Sequence, residues 1–149
     1  MNLIFSHIIT VCTGNICRSP MAEAILRQRL AGHGAVVESV GIGALTGAPA
    51  DPLAQALMLE RGIDISAHRG RQADAGSLAG ADLVLTAETL HSDWINRRFP
   101  SLRGRVHKLG RWLGDKDIAD PYQYPRAAFE AALAEIDASV EAWLPKLAE

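Results

Sequence analysis

The sequence predicts an α/β fold: a single domain built on a four-stranded, parallel, twisted sheet with helices on both faces. Three observations point there. Apolar runs at residues 3–11, 35–40, 82–86 and 105–109 read as strands, each separated from the next by helical or loop sequence. That alternation calls for parallel pairing through right-handed crossovers. The first run leads directly into Cys12-Thr13-Gly14-Asn15-Ile16-Cys17-Arg18-Ser19-Pro20, a glycine-containing loop feeding a helix with proline in its first turn. Near the other end, Phe129, Leu133, Ile136, Val140, Trp143 and Leu147 recur at spacings of four and three, the apolar face of a closing helix that belongs to the core.

Composition bounds the rest. A chain of 149 residues with no repeat, low-complexity tract or linker is one domain, 1–149, with enough length for a core. Fifteen basic residues against 17 acidic ones leave a net charge of −2, which argues against a nucleic-acid footprint and against a polybasic membrane patch. The opening Met1-Asn2-Leu3-Ile4-Phe5 lacks a basic leader, and no apolar run approaches the roughly 18 residues of a membrane span. A cytoplasmic protein without membrane insertion is expected. Cys12 and Cys17 are the only cysteines, so a disulfide scaffold is not expected and a reducing compartment fits.

The loop from Cys12 to Arg18 carries the chemistry. Placed at a helix N-terminus, the amides of Thr13, Gly14, Asn15, Ile16 and Cys17 would face inward and cradle a tetrahedral anion, and the helix dipole would add to the attraction. Arg18 supplies a planar fork matched to two phosphate oxygens. The same positive field favours the thiolate of Cys12, a nucleophile able to attack phosphorus and form a phosphocysteine. A leaving oxygen then needs a proton, and Asp120, in Ile118-Ala119-Asp120-Pro121-Tyr122, is the candidate donor, with Asp117 as its rival. No metal or other cofactor is expected. The histidines lack metal-ligand spacing, and Asp115, Asp117 and Asp120 lack the central glycine and closing glutamate of a calcium loop.

These motifs, together with Ser39 and Gly41 after the second strand, the segment from Gly62 to His68, and Asp120-Pro121-Tyr122, resemble the low-molecular-weight protein tyrosine phosphatases over nearly the whole chain. The resemblance implies a flavodoxin-like arrangement, the phosphotyrosine phosphatase I-like fold. It implies Cys12 as nucleophile, Arg18 as clamp, Asp120 as acid then base, and Ser19 as support for the thiolate. By the same likeness Asn15 braces the loop through Ser39 and His68. Pocket walls are expected from the glycine-rich segment 41–51, where Ile42 or Leu45 would serve, and from segment 110–125, with Tyr122 and Tyr124. An aliphatic wall in such a loop resembles the bacterial branch tied to exopolysaccharide export, whose implied partner is a tyrosine autokinase. A monomer or weak dimer is expected.

The chain departs from the family pattern in three places. Val40 replaces the usual alanine between Ser39 and Gly41, Ala87 stands where methionine is common, and Gln123 separates two tyrosines that are usually adjacent. Three alternatives remain open. An arsenate reductase on this fold would use cysteines downstream, and residues 18–149 hold none. A phosphoarginine phosphatase suits Thr13 but carries a polar residue where Ile16 stands. A non-catalytic phosphotyrosine binder would be expected to lack one of Cys12, Arg18 and Asp120, all of which are present.

Overall fold

The computed structural model describes residues 2–149. Four strands, β1 (His7–Cys12), β2 (Val36–Gly41), β3 (Leu83–Thr86) and β4 (Val106–Lys108), form one parallel sheet in the order β2-β1-β3-β4. Four helices lie between them, α1 (Arg18–Arg29), α2 (Pro52–Leu59), α3 (Ala75–Leu78) and α4 (Thr89–Arg98), and α5 (Arg126–Trp143) follows the last strand. The chain leaves β1 for β2 on one side and then crosses to β3 on the other. The strand order therefore reverses at β1, and the crevice opens at its carboxyl end, where Cys12 stands.

The strands alternate between two apolar layers, as the two-residue period of a pleated strand requires. Ile8, Val37, Leu83 and Leu85 face the layer covered by α1, α2 and α5, while Ile9, Val11, Val40 and Val84 face a smaller layer with Leu78, Ile95 and Leu102. On α5 the expected stripe is buried at Phe129, Leu133, Ile136, Val140 and Trp143. Each such side chain contributes roughly 1.5–3 kcal/mol by leaving water. The helix ends at Trp143, yet Leu147, just past the 3₁₀ turn that follows, remains buried. Trp143 Nε1 donates to the Leu109 carbonyl at 2.9 Å, which pins the end of β4 where the segment from Gly110 begins.

Strand limits differ from the sequence reading mainly at β1, which starts at His7 and not at residue 3. Residues 3–6 pair elsewhere. The Ile4 amide donates to the Leu147 carbonyl at 2.9 Å, Leu3 bridges Ala148, and the Ser6 and His7 amides cap onto Asp82. Leu3 and Phe5 pack against the larger core layer, whereas Ile4 is half exposed.

Gly41 ends β2 where the loop after β1 passes closest. A Cβ there would run into the Thr13 carbonyl oxygen and lie 2.9 Å from the Asn15 nitrogen, whereas one at Gly43 would meet nothing within 4 Å. Gly41→Ala is expected to destabilise by about 1–3 kcal/mol, the range for overpacking against backbone that cannot yield. Gly43→Ala should change little. Urea unfolding of the two variants checks this, and equal stabilities would show that the loop can retreat.

Candidate active site

Between Cys12 and Arg18 the chain curls into a cradle whose carbonyls face out. The Cys12, Thr13 and Gly14 carbonyls each accept from an amide of the glycine-rich segment, those of Ile42, Gly43 and Leu45, all at 3.0 Å, and the Ile16 carbonyl accepts from the Asp51 amide at 2.9 Å. Amides 13–18 consequently face the other way, and none finds a protein acceptor among the described residues. Asn15 makes the curl possible. Its φ is +59°, a left-handed conformation that asparagine tolerates better than most residues, and it is fully buried. Its Nδ2 donates to Ser19 Oγ at 2.8 Å and Ser39 Oγ at 2.9 Å, its Oδ1 accepts from the Arg71 amide at 2.8 Å, and its carbonyl lies 2.7 Å from His68 Nε2. Ser39 passes the connection on, donating to Glu23 Oε1 at 2.6 Å. The expected grouping of Asn15 with Ser39 and His68 is thus present in space.

Cys12 is buried at the floor, with its sulfur 2.9 Å from Ser19 Oγ and 3.4 Å from the Ser19 amide. Because Ser19 Oγ already accepts from Asn15, its proton is free to turn to the sulfur. Cys17 lies in the same pocket, but burial, reinforced by the carboxylate of Asp51, pushes its thiol well above the usual range. It stays protonated near neutrality and is no rival nucleophile.

Arg18 is only 2% exposed, and its guanidinium is held from one side. Nη1 donates to both Glu88 Oε2 and the Ile118 carbonyl, each at 2.6 Å, while Nε is buried without a protein partner. Nη2 has Asp120 Oδ2 at 3.6 Å. The Nε/Nη2 edge, the one that grips a phosphate with two parallel hydrogen bonds, is therefore left open.

A pocket of about 230 Å³ opens over the cradle. Leu45 and Gly43 form one wall, Tyr122 and Asp120 another, and Ile16 reaches in from the loop. Leu45 is 46% and Tyr122 40% exposed, so both present apolar surface at the mouth. Two expected wall residues fall elsewhere. Ile42 packs against the smaller core layer, because the chain still alternates as it leaves β2. Tyr124 is 63% exposed and lines no part of the pocket, since Gln123 has a φ of +68° and turns the chain after Tyr122. Asp117, the rival acid, is likewise engaged elsewhere. It accepts from the Thr89 amide at 3.0 Å and Lys108 Nζ at 3.1 Å. Burial opposes its charge, but these donors hold the carboxyl below its ordinary range. Asp120 instead takes the Tyr122 amide at 3.1 Å and leans towards Arg18. Among the described residues no cluster of His, Cys, Asp or Glu is arranged to hold a metal.

Glu88, His91 and Gln72 also stand beside the site, and no motif in the sequence singles them out. Gln72 braces the Leu45 wall, accepting from the Ala44 amide at 2.9 Å and donating to the Ile42 carbonyl at 2.8 Å. Nothing in spacing separates these from ordinary surface polar residues; that Glu88 caps α4 with His91 at its third position is seen only in the structure. His91 is fully buried, and its Nδ1 accepts from the Glu88 amide at 3.0 Å, so the ring is neutral.

Burial, with the charge of Arg18 adding to it, pushes the His91 pKa down from 6.5 to about 4, although Asp117 and Asp120 pull the other way. Between those values the unfolded chain binds a proton that the folded one refuses. The stabilising contribution is complete above pH 6.5 and is lost as pH falls towards 4. Wild type is expected to lose about 2 kcal/mol between pH 7 and pH 5 from this residue alone. Urea unfolding of His91→Asn should lack that component, and identical pH profiles would place the lost stability in other groups.

Comparison with known proteins gives the same answer from a different direction. A model of the low molecular weight phosphotyrosine protein phosphatase family matches residues 7–149. EpsP of Ralstonia nicotianae is 47% identical over 140 residues, 94% of each chain. Among solved structures, Wzb of Vibrio vulnificus in complex with benzylphosphonate superposes with a TM-score of 0.90 at 37% identity, covering 96% of this chain and 99% of the other. The YwlE arginine phosphatase of Geobacillus stearothermophilus superposes with 0.88 at 35% identity, covering 95% and 92%. With this match along almost its full length, and a cysteine, an arginine and an inward-facing amide cradle at the switch point, the chain belongs to the low-molecular-weight phosphotyrosine protein phosphatase family.

Proposed function

We propose that Cys12, Arg18 and Asp120 hydrolyse protein phosphotyrosine in two transfers. The phosphoryl group sits in the cradle of amides 13–18, with two of its oxygens on the Nε/Nη2 edge of Arg18. Cys12 Sγ attacks phosphorus while the bond to the tyrosyl oxygen breaks, and protonated Asp120 gives that oxygen its proton. A water then attacks the phosphocysteine, Asp120 takes the water's proton, and phosphate leaves with the thiolate restored. Asn15 and Ser19 keep the loop and sulfur in place, with Ser39 and His68 behind them. The observation that carries this reading is the open edge of Arg18 beside Cys12, with Asp120 as the carboxylate reaching both pocket and arginine.

An aromatic substrate fits the walls, since Leu45 and Tyr122 can sandwich a phenyl ring. The apolar side chain of Ile16 in the pocket disfavours the charged guanidinium of phosphoarginine. The physiological role is a tyrosine autokinase as substrate in exopolysaccharide production, by a cytoplasmic enzyme acting as monomer or weak dimer. Its support is the aliphatic wall at Leu45 and the likeness to EpsP and Wzb. No helix is long and apolar enough to cross a membrane among the described residues.

Hydrolysis of matched phosphotyrosine, phosphoserine and phosphoarginine peptides, and of a phosphorylated autokinase tail, with EDTA present, tests the reading. Turnover of phosphotyrosine and of the tail is expected, and Cys12→Ser should abolish it. Asp120→Asn should slow phosphocysteine formation by about 10²–10⁴-fold while binding persists. An equal loss in Asp117→Asn would move the acid, and preference for phosphoarginine would move the substrate. Cys17 lines the same pocket as Cys12, and although its thiol is protonated at rest, it can condense slowly with a Cys12 oxidised to the sulfenic acid, forming a disulfide and releasing water. Peroxide inactivation of wild type should then reverse with a thiol reductant, and Cys17→Ser should recover less. Equal recovery would leave Cys17 as packing alone.

A further inference from the structure

Between the phosphate loop and α4 lies a fully buried imidazole that the transfer steps do not use. His91, on the first turn of α4, has both ring nitrogens engaged: Nδ1 accepts from the Glu88 amide at 3.0 Å, and Nε2 lies 2.9 Å from Thr13 Oγ1. Since Nδ1 accepts, the one proton of the neutral ring is on Nε2, and Nε2 donates to Thr13. The Thr13 hydroxyl is thus the acceptor in this bond, and its own proton has no other acceptor among the described residues. Thr13 lines the pocket beside Cys12. Glu88, whose amide His91 holds, sets its carboxylate 2.6 Å from Arg18 Nη1. Apart from that ion pair, the His91–Thr13 contact is the one hydrogen bond among the described residues that joins loop 12–18 to residues 88–98.

We propose that His91 is a positioning residue for phosphate binding: it clamps Thr13 to the start of α4, so that Glu88 holds the Arg18 fork and the Thr13 hydroxyl turns its proton towards the phosphoryl group. The hydrogen bonds run in one direction, from the Glu88 amide through the imidazole to the threonine hydroxyl and then to the anion. A chain of donors so aligned ends in a donor that meets negative charge, the polarity the cradle needs. The inference rests on the assignment of this pocket as the phosphate site.

Two variants cut the chain at different links. Thr13→Val keeps the shape and removes the hydroxyl. His91→Asn keeps an acceptor near the Nδ1 position and cannot reach Thr13. Inorganic phosphate is titrated calorimetrically into wild type, Thr13→Val, Thr13→Ser, His91→Asn and the Thr13→Val/His91→Asn double variant, alongside turnover of a phosphotyrosine peptide. Each single cut is expected to weaken phosphate about tenfold, the scale of one hydrogen bond to a charged group, and to lower kcat/KM to a similar extent. The double variant should be no weaker than the poorer single one, because both cut the same chain. Thr13→Ser, which restores the hydroxyl, should recover most of the loss.

Wild-type phosphate affinity in Thr13→Val, or losses that multiply in the double variant, would overturn the proposal. If His91→Asn fails to fold, the contrast between Thr13→Val and Thr13→Ser decides alone. A wild type that binds phosphate without turning over phosphotyrosine would overturn the proposed function and leave the phosphate comparison standing. One that binds no phosphate would overturn both.

Discussion

The site depends on holding one buried residue in a conformation it would not choose. Asn15, at a φ of +59°, is what lets the chain reverse between β1 and α1 so that carbonyls turn out and amides turn in. A left-handed backbone costs most L-residues about 1–2 kcal/mol and asparagine less, and a buried amide left without partners costs about 1–3 kcal/mol per group. Both are offset because every polar atom of the Asn15 side chain is bonded, to Ser19, Ser39 and the Arg71 amide. Those partners come from α1, from β2 and from the segment after α2. The loop is therefore shaped by the whole fold, and its own sequence would not hold it.

The second constraint is electrostatic. Arg18 is almost fully buried, and a buried guanidinium is tolerable only when its charge is matched and its protons are used. Glu88 and the Ile118 carbonyl do this at Nη1, while Asp120 stands farther off and half exposed. The tight partners fix the plane of the fork and the loose one is free to exchange. An incoming dianion meets an edge that is already aimed and displaces no strong partner, and the half-exposed carboxylate of Asp120 stands 3.6 Å from that edge. Asp117 has the opposite character. Bound to Lys108 and to the first amide of α4, it ties the segment that carries Asp120 to the helix that Glu88 caps.

Sheet order and loop chemistry converge for a geometric reason. The crossover that places β3 on the far side of β1 opens the crevice at the carboxyl end of β1, and the loop with the thiol begins there. Gly41, at the end of the neighbouring β2, admits the loop's backbone at a distance that no side chain would allow. Packing of α5 through Trp143 against the Leu109 carbonyl then sets where the segment bearing Asp120 and Tyr122 can reach.

The sequence by itself determined what local rules can determine. Strand and helix periodicities marked all four strands and the stripe of α5, and the run from Cys12 to Pro20 marked a loop between strand and helix, because those features depend on neighbours in the chain. Residues 3–6 misled for the same reason: an apolar run reads as a strand whether it pairs with the sheet or with the chain terminus. Only the tertiary structure shows that Asp120 lines the pocket while Asp117 is held by Thr89 and Lys108, that Ile42 and Tyr124 lie off the pocket wall, and that Glu88, His91 and Gln72 stand beside the site. Those choices turn on which side chains meet across separations of tens of residues. Such meetings are set by the packing of α4 and the 110–125 segment against the sheet, and neither composition nor spacing records them.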